Sequence, residues 1–99
     1  MTDEDKTLLE MAAKAAGFQA RWVRQGWWNP ITDDGDALRL AVRLQLGISI
    51  PPVADGRIEV VTFYGPIISI VEYPQNGYRQ AATRRAIVRA AAEIGKAQQ

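Results

Sequence analysis

Arg57-Ile58-Glu59-Val60-Val61-Thr62-Phe63-Tyr64, then Gly65-Pro66, then Ile67-Ile68-Ser69-Ile70-Val71-Glu72-Tyr73 is the stretch whose reading decides the fold. Both runs are rich in β-branched and aromatic residues, which fit a pleated and half-buried surface. Gly65-Pro66 interrupts them where a turn is needed, so the pair reads as an antiparallel hairpin. Nearly every position in either run is apolar, and a sheet covered on both faces is expected. Just upstream, Ile48-Ser49-Ile50 offers one more short extended piece before Pro51-Pro52 bars regular structure. Asp55-Gly56 supplies a turn into the hairpin.

Outward from the hairpin the periodicity changes to helical. Beyond the loop Pro74-Gln75-Asn76-Gly77, the chain from about Gln80 to Lys96 is Ala-rich and sets Thr83, Ile87, Ala90, Ala91 and Ile94 on one stripe. On the other side, Thr32 or Asp33 can cap a helix whose positive end carries Asp34 and Asp36. In that helix Ala37, Leu38, Leu40, Ala41, Val42, Leu44 and Leu46 have a spacing that buries more than one stripe, and Gly47 is its expected stop. At the start of the chain, Thr2 with Asp5 forms a weak capping box for a helix over about residues 3–16, closed by Gly17. Phe18 to Arg24 alternates imperfectly and reads as a short strand. Gly26 breaks it, and Trp27-Trp28-Asn29-Pro30 is a turn, because Pro30 forces Asn29 out of helical geometry. The order is helix, strand, helix, hairpin, helix: a small α+β (α/β) fold with a largely antiparallel sheet, in a single domain over residues 1–99.

Composition excludes much chemistry. The chain of 99 residues has no Cys and no His, which removes disulfides, thiol catalysis, thiolate metal sites and the side chain best suited to proton transfer near neutrality. No apolar run approaches a membrane span, and Met1-Thr2-Asp3-Glu4-Asp5 is too acidic for a signal peptide. Ser49 and Ser69 lie in no nucleophile elbow, and no phosphate-binding glycine loop is present. The run Asp33-Asp34-Gly35-Asp36 lacks the ligand spacing of a calcium loop, and a helix cap accounts for it without an ion. Glu59 and Glu72 share the hairpin, but nothing in the sequence puts their carboxylates together for acid–base work. The expectation is a protein that is not an enzyme and uses no cofactor or metal.

What remains is aromatic and basic. Nine of the twelve basic residues are Arg, and residues 74–99 carry a net charge of +4. That excess is too local for a duplex-DNA binder. Neighbours in a turn cannot easily both point inward, so one of Trp27 and Trp28 is expected to stay partly exposed. Arg79 and Arg84 fall near the start of the last helix, where free backbone N–H groups favour an anion, and Arg85 and Arg89 share a neighbouring face. A solvated helical face is the plainer explanation of the arginines, and a ligand site is the sharper one. Aromatic rings beside guanidinium groups are the composition expected of a nucleotide or phosphate pocket. The candidate ligand-binding set is Trp27, Trp28, Tyr78, Arg84, Arg85 and Arg89.

Two segments, Trp28-Asn29-Pro30-Ile31-Thr32-Asp33-Asp34-Gly35-Asp36-Ala37 and Ala81-Ala82-Thr83-Arg84-Arg85-Ala86-Ile87-Val88-Arg89-Ala90-Ala91, resemble the small phage and prophage proteins of the ABA-sandwich type, to which the NinX-type proteins are similar. With the elements between, the resemblance spans about residues 18–96. It implies a small three-layer α/β/α sandwich and a bacteriophage or prophage origin, in the cytoplasm of an infected or lysogenic host. It brings no catalytic residues. Small phage proteins of this kind often act on the host, which makes counter-defence the expected role. The leading mode is sequestering a nucleotide-derived immune signal as a homo-oligomeric sponge, and the alternative is inhibiting a host defence nuclease or complex by protein contact. The Trp doublet and the Pro51-Pro52 loop depart from the pattern.

Overall fold

A computed structural model describes residues 2–53 and 55–98 of the chain. The first helix, α1 (Asp3–Ala16), starts where Thr2 Oγ1 accepts the Asp5 N–H at 3.0 Å and stops at Gly17, whose φ of 80° is the left-handed cap. A short helix, α2 (Ala20–Arg24), follows, then α3 (Asp34–Arg43) and β1 (Gly47–Ser49). The hairpin strands are β2 (Ile58–Val61) and β3 (Ser69–Glu72), and α4 (Arg79–Ala97) closes the fold. The three strands form one antiparallel sheet in the order β1-β2-β3, so the mixed α+β class and the antiparallel hairpin hold.

Two local readings need correction. Ala20 to Arg24 is a turn of helix rather than strand, entered from an extended Gln19, and the Phe18 ring just before it packs on Trp22 with centroids 5.3 Å apart. The helix α3 ends at Arg43 with Leu44 as its cap; Gln45 beyond it takes the left-handed conformation at φ 54°, while Leu46 N–H closes on Ala41 O. Gly47 does not stop a helix; it opens β1. The Phe63 ring lies over it, and a Cβ there would sit 2.8 Å from the ring. Asp33 does cap α3, accepting the Asp36 N–H at 2.8 Å.

The layers also differ from a sandwich with helices on both faces of the sheet. Ile58, Val60, Thr62 and Ile70 point to the inner face and are buried against α4. On the other face Phe63 and Tyr73 are exposed and Val61 and Val71 half-buried, with no helix above them. The stack runs sheet, α4 with α3 beside it, then α1, so α4 is the helix covered on both sides. Its alanines make this possible: Ala86, Ala90, Ala91 and Ala92 are fully buried, and small side chains let α1 approach through Leu9, Ala12 and Ala13. An antiparallel sheet tolerates one wet face, which is why a largely apolar hairpin does not require a second helical layer.

One polar side chain is buried in this core. Thr62 donates through Oγ1 to Pro66 O at 2.6 Å and accepts the Ile68 N–H at 2.8 Å, closing the hairpin loop. Thr62→Val keeps the shape but orphans both backbone groups. The expected cost is about 1–3 kcal/mol, the desolvation penalty of unpaired buried polar atoms, seen as a lower urea midpoint at unchanged slope. An unchanged midpoint would mean the loop does not depend on this hydroxyl.

Candidate functional site

The six candidate residues do not converge. Trp28 is 6% exposed and packs edge-on to Phe18, with centroids 5.4 Å apart, so it belongs to the core. Its neighbour Trp27 is 66% exposed. The difference begins in the backbone. Trp27 N–H bonds to Trp22 O as the chain leaves α2 through Gly26, whereas Asn29 N–H is held by the Asp36 carboxylate and pulls the next turn against α3. Asn29 Oδ1 accepts the Ile31 N–H, which shapes the buried Pro30 turn.

Each of the three candidate arginines on α4 already serves an intramolecular partner. Arg84 donates to Ile31 O at 2.7 Å and to Asp34 at 2.6 Å. It therefore ties the two segments that carry the family resemblance to each other, as a structural strut. Arg85 reaches the acidic first turn of α1, pairing with Asp5 at 3.0 Å and Glu4 at 3.5 Å. Arg89 donates to Glu72 and to Val71 O on β3. These pairs are partly solvent-exposed and worth little individually. Their consequence is that most of the +4 expected of the last segment is neutralised at home.

Two clefts flank α4. One, of about 390 Å³, has Tyr73, Tyr78, Gln75, Asn76 and Arg85 in its wall. It brings Tyr78 and Arg85 together and leaves out the other four candidates. The second, of about 570 Å³, lies between α3, β1 and α4 and is chiefly apolar, with Leu38, Ile48, Ile50 and Ile87 as walls and floor and Arg79 and Arg84 at its rim. Neither cleft includes Trp27 or Trp28. Among the described residues Arg79 has no carboxylate partner; it makes one long hydrogen bond, 3.4 Å, to Pro51 O.

Sequence reasoning missed the second cleft, although its signal was present. The apolar positions of α3 make two stripes. Ala37, Leu40 and Ala41 are buried, but Leu38 and Val42, four residues apart, are 62% and 68% exposed. Of this exposed pair, Leu38 lines the groove together with Ile48 and Ile50, and Val42 lies one turn further along the same exposed stripe. The acids of the Asp33–Asp36 run are spent on caps and on Arg39 and Arg84. No three potential ligands gather for a metal among the described residues, and no helix there is long and apolar enough to cross a membrane.

Comparison of the chain with protein-family models, with curated proteins and with solved structures finds no match.

Proposed function

We propose that the chain is a non-enzymatic accessory protein of a bacteriophage or prophage that acts in counter-defence by binding a host protein. The observation that carries the reading is the mismatch between charge and apolar surface. The arginines Arg84, Arg85 and Arg89 are occupied by Asp34, Asp5 and Glu72, whereas Leu38, Val42 and Ile50 stand in solvent around an open groove. A contiguous exposed apolar surface with a polar rim is the usual mark of a protein contact. The phage setting is supported by the Trp28–Ala37 and Ala81–Ala91 segments, whose residues meet through Arg84 and the Ile31 carbonyl.

A second reading, sequestration of a nucleotide-derived signal, keeps one observation in its favour. The cleft of Tyr73, Tyr78 and Arg85 combines two phenol rings, a guanidinium and the amides of Gln75 and Asn76 in a volume within the range of small-ligand sites. The two modes separate in one assay, plating of a defence-sensitive phage on a defended host that expresses the protein. Leu38→Asp with Val42→Asp abolishes protection of the phage under protein contact and leaves it intact under sequestration. Tyr78→Ala does the reverse. Full protection by both variants would remove both surfaces from the function.

A further inference from the structure

The backbone pairing shows which groups each edge of the sheet leaves free. Thr62 N–H donates to Ile68 O, so in β2 the residues Ile58, Val60 and Thr62 turn their backbone groups to β3. The alternation of an antiparallel ladder then turns Glu59 and Val61 toward β1, where they meet Ser49 and Gly47. Ile48, opposite Val60, is therefore left with its N–H and C=O aimed away from the sheet, and neither meets a partner among the described residues. On the far edge the corresponding outward carbonyl, that of Val71, is covered by Arg89. Among the described residues Ser69 and the Val71 N–H on β3 stay free as well, so each edge keeps unpaired backbone groups, and of the two it is the β1 edge that opens onto an apolar groove.

The β1 edge faces the apolar groove. Helices packed side by side are about 8–10 Å apart and strands about 4.8 Å, so two helices span the width of roughly four strands. Here three strands lie over α4 and α3 together. Helix α4 packs under β2 and β3, while the exposed stripe of α3, Leu38 and Val42, has no strand above it. The groove of about 570 Å³ is that missing strand's place: its wall is Ile48 and Ile50 and its floor Ile87. At the end near Pro51 stands Arg79, which lacks a carboxylate partner among the described residues, in the first turn of a helix with no side-chain cap.

We propose that β1 accepts an extended segment of a partner protein as a fourth strand, with alternate apolar side chains of that segment on Leu38, Ile50 and Ile87 and a carboxylate on Arg79. Main-chain bonds to Ile48 give the register, and the alternate-side-chain pockets give selectivity. At the rim Asp34 offsets Arg84, so the charge left to select an acidic end is that of Arg79. A second copy of this chain fits less well, because its own β1 brings an α3 with it into the space beside this α3. The inference deepens the protein-contact reading and rests on it for the nature of the occupant.

The test uses the purified chain as bait for a displayed library of random peptides about twelve residues long, enough for one strand with flanks. Enriched peptides are synthesised and titrated. The expected sequences alternate apolar residues at every second position and carry Asp or Glu at one end. Leu38→Asp weakens their binding by about tenfold or more, and Arg79→Glu by about threefold to tenfold. Hydrogen exchange supplies the backbone readout: the Ile48 amide slows on peptide binding, while Gly47 and Ser49, already paired to β2, do not change. Failure to enrich any peptide overturns the proposal, as does enrichment with a helical three-to-four spacing or binding that leaves Ile48 exchange unaltered. A dimer that protects Ile48 without peptide overturns it in favour of a second copy. Each of these failures leaves the phage-plating result free to stand, so the loss of this strand site and the loss of the protein-contact function are separately visible.

Discussion

Trp28→Ala lowers the stability of the protein by about 3–5 kcal/mol, the usual range for truncating a buried aromatic residue, while Trp27→Ala shifts it by no more than about 0.5 kcal/mol. The residues are chemically identical and adjacent, and only their burial separates them, 6% against 66% exposed. Trp28 lies edge-on to Phe18, which in turn stacks on Trp22 and carries the Arg43 guanidinium 5.1 Å from its ring centroid. Removing the indole empties the centre of this cluster and loosens the Pro30 turn that Arg84 holds to α4. Total stabilities of domains run to about 5–15 kcal/mol, so the loss is a large fraction of the whole. Urea titration followed by far-ultraviolet circular dichroism makes the comparison without relying on the fluorescence that either substitution removes. Equal midpoints for the two variants would contradict the assignment of Trp28 to the core. The pair also determines how activity data are read. A loss of function in Trp28→Ala reports folding, and only Trp27→Ala can report a contact made by the doublet.

The doublet shows what was legible in the sequence and what was not. That one indole had to stay outside follows from two bulky neighbours in a turn; which one stays outside depends on hydrogen bonds from Asn29 to Asp36 that no local pattern encodes. The hairpin was legible because β-branched residues crowd both runs, and the α1 and α3 starts were legible because Thr2 and Asp33 cap them through their own third neighbours. Short-range chemistry reads directly. Ala20 to Arg24 misread as part of a strand because so short a run fits either period equally well. Long-range pairing is where reading stopped. Arg85 finds Asp5 across 80 residues and Arg84 finds Asp34 across 50, so a cluster that looks like an anion site in sequence is neutralised in space. The apolar groove failed to stand out for the opposite reason. Leu38 and Val42 look like core residues, and only the absence of a strand above them makes them surface.

Gly95→Ala is expected to destabilise the protein even though it replaces glycine by the best helix former. Position 95 lies inside α4, where alanine would gain about 1 kcal/mol in an isolated helix. Against that, a Cβ built on Gly95 overlaps the Met11 carbonyl oxygen and lies 2.8 Å from its carbon and 3.3 Å from its Cα. These are backbone atoms of α1, which cannot rotate away as a flexible side chain would. The helices must separate, and the contact that gives way is the tightest layer of the molecule, where Ala12, Ala13, Ala91 and Ala92 are all fully buried. Overpacking of a filled core costs typically about 1–3 kcal/mol and occasionally more, and rigid backbone on the facing side puts this site at the upper end. Crowding therefore outweighs propensity, with a net loss of about 2 kcal/mol after the helical gain is subtracted. Lys96→Ala, one residue on and exposed, is the control, because it should leave the urea midpoint where it is. A Gly95→Ala midpoint at or above that of the parent would mean that α1 and α4 cross with more room than the structure gives them. The small-residue face of α4 would then not be what fixes the helical layer beneath the sheet.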